Sequence, residues 1–183
     1  SYLITLFISK EQIVKRKNIN WSLDLNEGID LSIFLFGSSE RKIFNLQKLL
    51  NLNSRLFFLD IGANIGSVSL TLAKLFGNCK IYSFEPTYYA YKKLKTNLSL
   101  NKDLKDKIFI NQLFVSNIKK PKKVWSSWSL SNKKNNHKNH KGSLKLIKKN
   151  SYVSIDEFIK RNKIKKIDFI KIDVDGYELD VLR

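Results

Sequence analysis

The chain contains no methionine, one cysteine and two histidines in 183 residues. Cys79 alone cannot close an intrachain disulfide, and two histidines are too few to complete a zinc site with it unless carboxylates join in. A reducing, cytoplasmic setting fits that cysteine usage best. The apolar opening, Tyr2 to Ile8, is far shorter than the ~20 residues a membrane-crossing helix needs, and no small-residue cleavage site follows it. Acidic residues are missing altogether between Lys107 and Ile155, where twelve lysines carry two-thirds of the net charge of +18. Internal repeats are absent too.

What remains is enough for one packed domain: 43% hydrophobic residues and 12% aromatic ones are incompatible with a disordered polymer despite the charge. Leu56-Phe57-Phe58-Leu59-Asp60-Ile61 is a continuous apolar run ended by Gly62, as expected for a strand buried on both faces of a parallel sheet. Apolar residues then recur at helical spacing from Ser67 to Phe76, with Gly77 as a stop. A second strand spans Lys80 to Phe84, a helix Tyr88 to Leu100, and a third strand Lys107 to Val115. Residues 116–150 read as a long Lys-rich loop with a short hairpin around Trp125 and Trp128. Ser154 and Glu157 stand at capping-box spacing before another helix, and Ile167 to Ile172 forms the last strand.

This alternation predicts an α/β fold, a doubly wound Rossmann-like sheet whose ligands gather at the strand carboxyl ends. Residues 54–183 form the main domain. The preceding 1–53 read as a cap over it: a helix from Ser9 to Lys17, a strand-like Trp21 to Leu25, an apolar Leu31 to Phe36 and a helix from Glu40 to Leu50.

The chemistry-bearing stretch is Asp60-Ile61-Gly62-Ala63-Asn64-Ile65-Gly66, placed where a buried strand turns into a helix and backbone must approach a ligand closely. Its glycine spacing is neither the Gly-x-Gly-x-x-Gly of pyrophosphate binding nor a P-loop, so nothing in it is built for phosphate. A carboxylate at the strand end suits a cationic group such as an amino acid's ammonium. Nineteen residues after Gly66, Glu85 closes the second strand, where an acid can accept hydrogen bonds from both ribose hydroxyls. Together Asp60 and Glu85 describe a nucleoside bearing an amino acid, the binding logic of S-adenosyl-L-methionine.

At this point the chain resembles the FkbM family of methyltransferases, within the class I superfamily. The matching stretches are F-F-L-D-I-G-A-N-I-G-S-V-S-L, I-Y-S-F-E-P, S-I-D-E-F and I-D-F-I-K-I-D-V-D-G-Y-E-L-D-V-L, from about Leu56 to the end. The resemblance implies cofactor contacts across the turn at Asp60, Gly62, Ala63, Asn64 and Gly66, with Glu85 on the ribose. It places adenine near the end of the third strand, where Gln112 is the polar candidate. Asp173, at the end of the fourth strand, is the candidate for orienting or deprotonating an acceptor hydroxyl. The family usually carries Glu where this chain has Asp175. Its sheet has further strands after the fourth, so the chain reads as truncated there, with strand 167–173 expected at a sheet edge.

Each assignment has a competitor. Asp60 alternatively caps the following helix, and Glu85 is alternatively an exposed acid at a helix start. Asp173, Asp175 and Glu178 would be the ligands of a magnesium or calcium ion, but two lie in one tight turn and the third on the next helix, so no metal is expected. His137 and His140 read as solvated loop residues. The expected function is S-adenosylmethionine-dependent O-methylation of a sugar, glycan or secondary metabolite, with the Lys-rich loop admitting an anionic acceptor. An RNA methyltransferase is the alternative raised by the +18 charge. Nucleic acid is the less favoured partner: there is no Asn-Pro-Pro-Tyr-type motif, no Pro-Cys nucleophile, and the lysines sit in one loop. A non-catalytic basic binding domain that keeps the fold is the reading from a different class. Oligomeric state is not legible.

Overall fold

The computed structural model describes residues 9–117, 123–125, 144–146 and 152–183. Most of the Lys-rich loop, Trp128, both histidines and the segment Tyr2 to Ile8 lie outside the described residues.

The chain enters through a β-hairpin, β1 (Glu11–Arg16) and β2 (Ile19–Asp24), paired antiparallel. A helix from Ser9 to Lys17 is therefore not formed. Lys17 and Asn18 both take positive φ, 51° and 60°, the conformation a two-residue hairpin turn requires, and the segment's inward-facing residues alternate with period two. Among the described residues the outer edge of β2 has no strand partner; two buried asparagines replace one. Asn97 and Asn101 accept from the amides of Ser22 and Asn20 at 2.8 and 2.9 Å, and Asn101 returns a bond to the Asn20 carbonyl at 2.7 Å. Next come α1 (Gly28–Phe36), ended by Gly37 at φ 75°, and a 3₁₀ turn over Arg41–Lys48 where an α-helix is expected.

The central sheet is parallel, in the order β10-β3-β4-β5: β3 (Leu56–Ile61), β4 (Cys79–Phe84), β5 (Ile108–Asn111) and β10 (Phe169–Ile172). Helices α2 (Ser67–Leu75) and α3 (Tyr88–Ser99) pack on one face, α4 (Ile155–Arg161) and α5 (Glu178–Leu182) on the other. Alternation along β3 builds both cores. Leu56 and Phe58 join the α2/α3 side, which also takes Ile19, Trp21, Leu23 and Leu25 of the hairpin, while Leu59 and Ile61 join Tyr82, Phe84 and Phe158 on the other. The described part of the N-terminal segment, residues 9–53, thus contributes to one continuous core through the helix layer. β10 lies at the edge of the sheet, as expected for the 167–173 strand.

The long third strand divides. β5 ends at Asn111, whose side chain donates to the Ser83 and Phe109 carbonyls, and the chain resumes as β6 (Phe114–Val115), which pairs parallel with β9 (Tyr152–Val153) outside the central sheet. Between these, β7 (Lys123–Trp125) pairs antiparallel with β8 (Leu144–Leu146), so the ribbon's partner comes well after Trp128 rather than just beyond it. The Ser154 hydroxyl does cap α4, accepting from the Glu157 amide at 3.1 Å. Among the described residues no helix is long and apolar enough to cross a membrane.

Candidate functional site

The turn leaving β3 is pinned from three sides. The amides of Gly62 and Ala63 donate to the Phe84 carbonyl at 3.0 and 2.9 Å, and the Asn64 amide donates to Glu85 Oε2 at 3.0 Å. Gly62, at φ 79°, lies against the end of β10 so tightly that a Cβ there would stand 1.9 Å from the Asp173 carbonyl oxygen. Gly66, at φ 90°, is required for a different neighbour: its missing Cβ leaves room for Leu94 and Leu70 in the core. It serves helix packing and does not border the cavity described below.

Glu85 is buried at the end of β4 with both oxygens in use. Oε1 accepts from the Thr87 amide and hydroxyl at 2.8 and 2.6 Å, and Oε2 from Asn64. Burial pushes its carboxyl above the ordinary value, against the bonds from Thr87 and Asn64 and the nearby charge of Lys171.

Asp60 is fully buried on the α2 side of the sheet. Its Oδ2 accepts from the Ser69 hydroxyl at 2.5 Å, and Ser69 in turn bonds Ser83 at 2.7 Å. Lys171, its register partner on β10, places Nζ 3.6 Å from Asp60 Oδ1 and 3.4 Å from Asp173 Oδ2, and donates to the Gly62 carbonyl at 2.7 Å.

These elements enclose a cavity of about 500 Å³ at the carboxyl ends of the strands. Gly62, Ala63, Asn64, Glu85 and Asp173 line it, so five of the eight residues singled out in the sequence meet there. Asp60 stands behind the wall and Gly66 to one side, while Gln112 is exposed between β5 and β6, away from the cavity. Glu178 turns onto its own loop, accepting from the amides of Val174 and Gly176 at 3.1 and 3.3 Å. Partial desolvation opposes its charge, but these amides and its own outweigh it and hold the carboxyl below the ordinary value. It therefore does not converge with Asp173 and Asp175, and among the described residues no group of three His, Cys, Asp or Glu side chains is placed to hold a metal ion.

Sequence reasoning missed three contributors. Lys171 lines the cavity, and its signal was visible as a lone lysine in an otherwise apolar strand. Thr87 clasps Glu85. The N-terminal segment, read only as a cap, supplies a wall through Gly28, Ile29, Ser32, Ser39 and Glu40. Just behind that wall Glu27 and Asp30 are buried, Asp30 paired with Lys93. Burial pushes the Glu27 carboxyl up to about 7.

The cavity's charge runs against the rest of the molecule. Four carboxyl groups, Glu40, Glu85, Asp173 and Asp175, face one ammonium, Lys171, in a chain of net charge +18. Ser39 adds a buried hydroxyl with no hydrogen-bond partner among the described residues. A polar, acidic cavity at the strand ends of a parallel α/β sheet is the place and the chemistry suited to a polar small molecule that carries positive charge.

Residues 60–183 match the model of the methyltransferase FkbM domain, and the chain belongs to that family. A curated relative, methyltransferase sdnD from Sordaria araneosa, is 29% identical over 170 residues, covering 73% of this chain and 61% of its own length. The chain thus spans about three-fifths of that relative. Among solved structures, methyltransferase FkbM from Methylobacillus flagellatus KT aligns at 21% identity and a TM-score of 0.47, covering 78% of this chain and 33% of that one. P. horikoshii TYW2, solved in complex with MeSAdo, aligns at 21% identity and a TM-score of 0.44, covering 58% and 37%.

Proposed function

We propose that this domain binds S-adenosylmethionine in the acidic cavity and directs its methyl group to a hydroxyl of a sugar, glycan or secondary metabolite, with 54–183 as the methyltransferase unit and 1–53 as its cap. The observation that carries the reading is the reversal of charge: a protein of net charge +18 places four carboxyl groups around one strand-end cavity, the arrangement a sulfonium-bearing ligand needs. Family membership supports the reaction class, and the acceptor class is what the resemblance to the family implies.

When bound, the donor supplies an electrophilic methyl group whose transfer to oxygen breaks a C–S bond, forms a C–O bond and releases the hydroxyl proton. Glu85 holds the ribose hydroxyls with lone pairs left over from its bonds to Thr87 and Asn64. The backbone of Gly62, Ala63 and Asn64 provides a rigid floor. Asp173, exposed on the wall, orients the acceptor hydroxyl or takes its proton. Because charge is neutralised in the displacement, alignment and exclusion of water dominate, with up to ~7–11 kcal/mol available from positioning.

Calorimetric titration with S-adenosylhomocysteine tests the reading directly. Saturable binding that is lost on Glu85→Ala is expected; no heat from a folded protein would refute it. Labelled methyl transfer to extracts fractionated into glycan, lipid and RNA then tests the acceptor, and incorporation into RNA alone would replace the hydroxyl class proposed here.

A further inference from the structure

Lys171 does not fit its strand. Its neighbours on β10 are Phe169, Ile170 and Ile172, and a half-buried ammonium at a sheet edge is costly to desolvate unless partners surround it. The partners are incomplete. An ammonium has three N–H donors. One is spent on the Gly62 carbonyl at 2.7 Å, while the two carboxylates stand at 3.4 and 3.6 Å, ion-pair separations longer than a good N–H···O bond. Lys171 is also the one cation among the described residues lining the cavity.

Asp60 completes the pattern from behind. Buried completely and tied to Ser69, it has one oxygen, Oδ1, with no hydrogen-bond partner among the described residues, and that oxygen is the one nearest Lys171 Nζ. A carboxylate so placed cannot touch a ligand in the cavity, but it fixes the ammonium beside Gly62. On the cavity wall this leaves Nζ as a cation held against the Gly62 carbonyl, complementary to the carboxylate of an α-amino acid.

We propose that Lys171 is a binding residue for the carboxylate of the donor's amino-acid part, and that Asp60 is a positioning residue that acts through it. The inference rests on the donor reading above and moves Asp60 from ligand contact to support of the group that makes the contact. The competing account is that Lys171 merely neutralises a buried aspartate.

The test compares two probes by calorimetry: S-adenosylhomocysteine and its decarboxylated analogue, 5′-deoxy-5′-(3-aminopropylthio)adenosine. The protein is expected to prefer the first by about tenfold or more, the worth of one charge-assisted hydrogen bond. Lys171→Met is expected to bind both alike, Lys171→Arg to keep part of the preference, and Asp60→Asn to shrink the preference while leaving affinity for the analogue unchanged. Because Lys171→Met strands a buried carboxylate and risks misfolding, the double variant Asp60→Asn/Lys171→Met carries the same readout with both charges removed. Retention of the full preference in either Lys171→Met protein overturns the inference. Equal binding of the two probes by the unmodified protein overturns it while leaving the donor reading intact, whereas absence of binding by both removes the two together.

Discussion

Two turns leave the carboxyl ends of neighbouring parallel strands, and both are clasped by a glutamate. After β3, Asn64 takes φ 50° and its amide is held by Glu85; after β10, Asp175 takes φ 51° and the flanking amides of Val174 and Gly176 are held by Glu178. The difference lies in where the clasp comes from. Glu85 reaches across from another strand and is buried, so its carboxyl rises; Glu178 sits on the helix that its own loop begins, half in solvent, so its carboxyl falls. A local clasp leaves its charge hydrated, whereas a tertiary one gives up hydration to join two elements.

The glycines break the comparison most sharply. Gly62 and Gly176 both have positive φ, but an added Cβ meets the Asp173 carbonyl oxygen at 1.9 Å in the first case and nothing within 4 Å in the second. Gly62→Ala is expected to cost about 3 kcal/mol or more in urea unfolding, through displaced backbone, and Gly176→Ala about 1–2 kcal/mol from conformational strain alone. Equal losses would mean that φ, and not close approach, sets the penalty.

Asp173, at the exposed start of the second turn, separates chemistry from binding. Asp173→Asn should lower turnover by about 10²-fold or more while the S-adenosylhomocysteine Kd stays within about threefold. A parallel loss of both would make it a structural carboxylate.

Removing the clasps themselves should have a smaller effect. Glu85→Ala leaves the Asn64 and Thr87 amides without their acceptor in a buried place and should cost about 2–3 kcal/mol, against about 1 kcal/mol or less for Glu178→Ala in its exposed turn. Their pH signs oppose. The folded-state value of Glu85 lies above the ordinary one, so its contribution is complete in acid and lost as pH rises through that value. Glu178 lies below, so its contribution is complete above the ordinary carboxylate range and lost as pH falls through its folded value. Urea midpoints measured across pH should therefore flatten on the alkaline side in Glu85→Gln and on the acid side in Glu178→Gln; the reverse assignment would contradict the burial account.

The smallest effect belongs to Glu27. With its carboxyl raised from 4.5 to about 7, the folded protein loses stability as pH climbs through that window. Glu27→Gln should raise Tm by about 2–4 °C at pH 8 and leave it unchanged at pH 4. A uniform shift at both pH values would point to lost packing instead.

Legibility followed burial. β3 and β4 were readable because strands covered on both faces are apolar almost throughout, and Ser154 because a cap is a contact between residues three apart. The hairpin at Glu11–Asp24 was not, since its signal rests on two left-handed residues, Lys17 and Asn18, neither of them glycine. The glycine motif was found but partly misassigned: Gly66 looked like a ligand-approach glycine, whereas Leu70 and Leu94 occupy the space its side chain would fill.

Residue order alone determined which strands are buried, where β3, β4 and β10 end, and that carboxylates stand at those ends, because burial period, turn chemistry and capping act over a few neighbours. Only the tertiary structure decided which carboxylate faces the cavity. Asp60 and Lys171 are 111 positions apart, and it is the parallel register of β3 and β10 that sets one against the other and turns the aspartate's charge inward, onto a lysine, and away from any ligand.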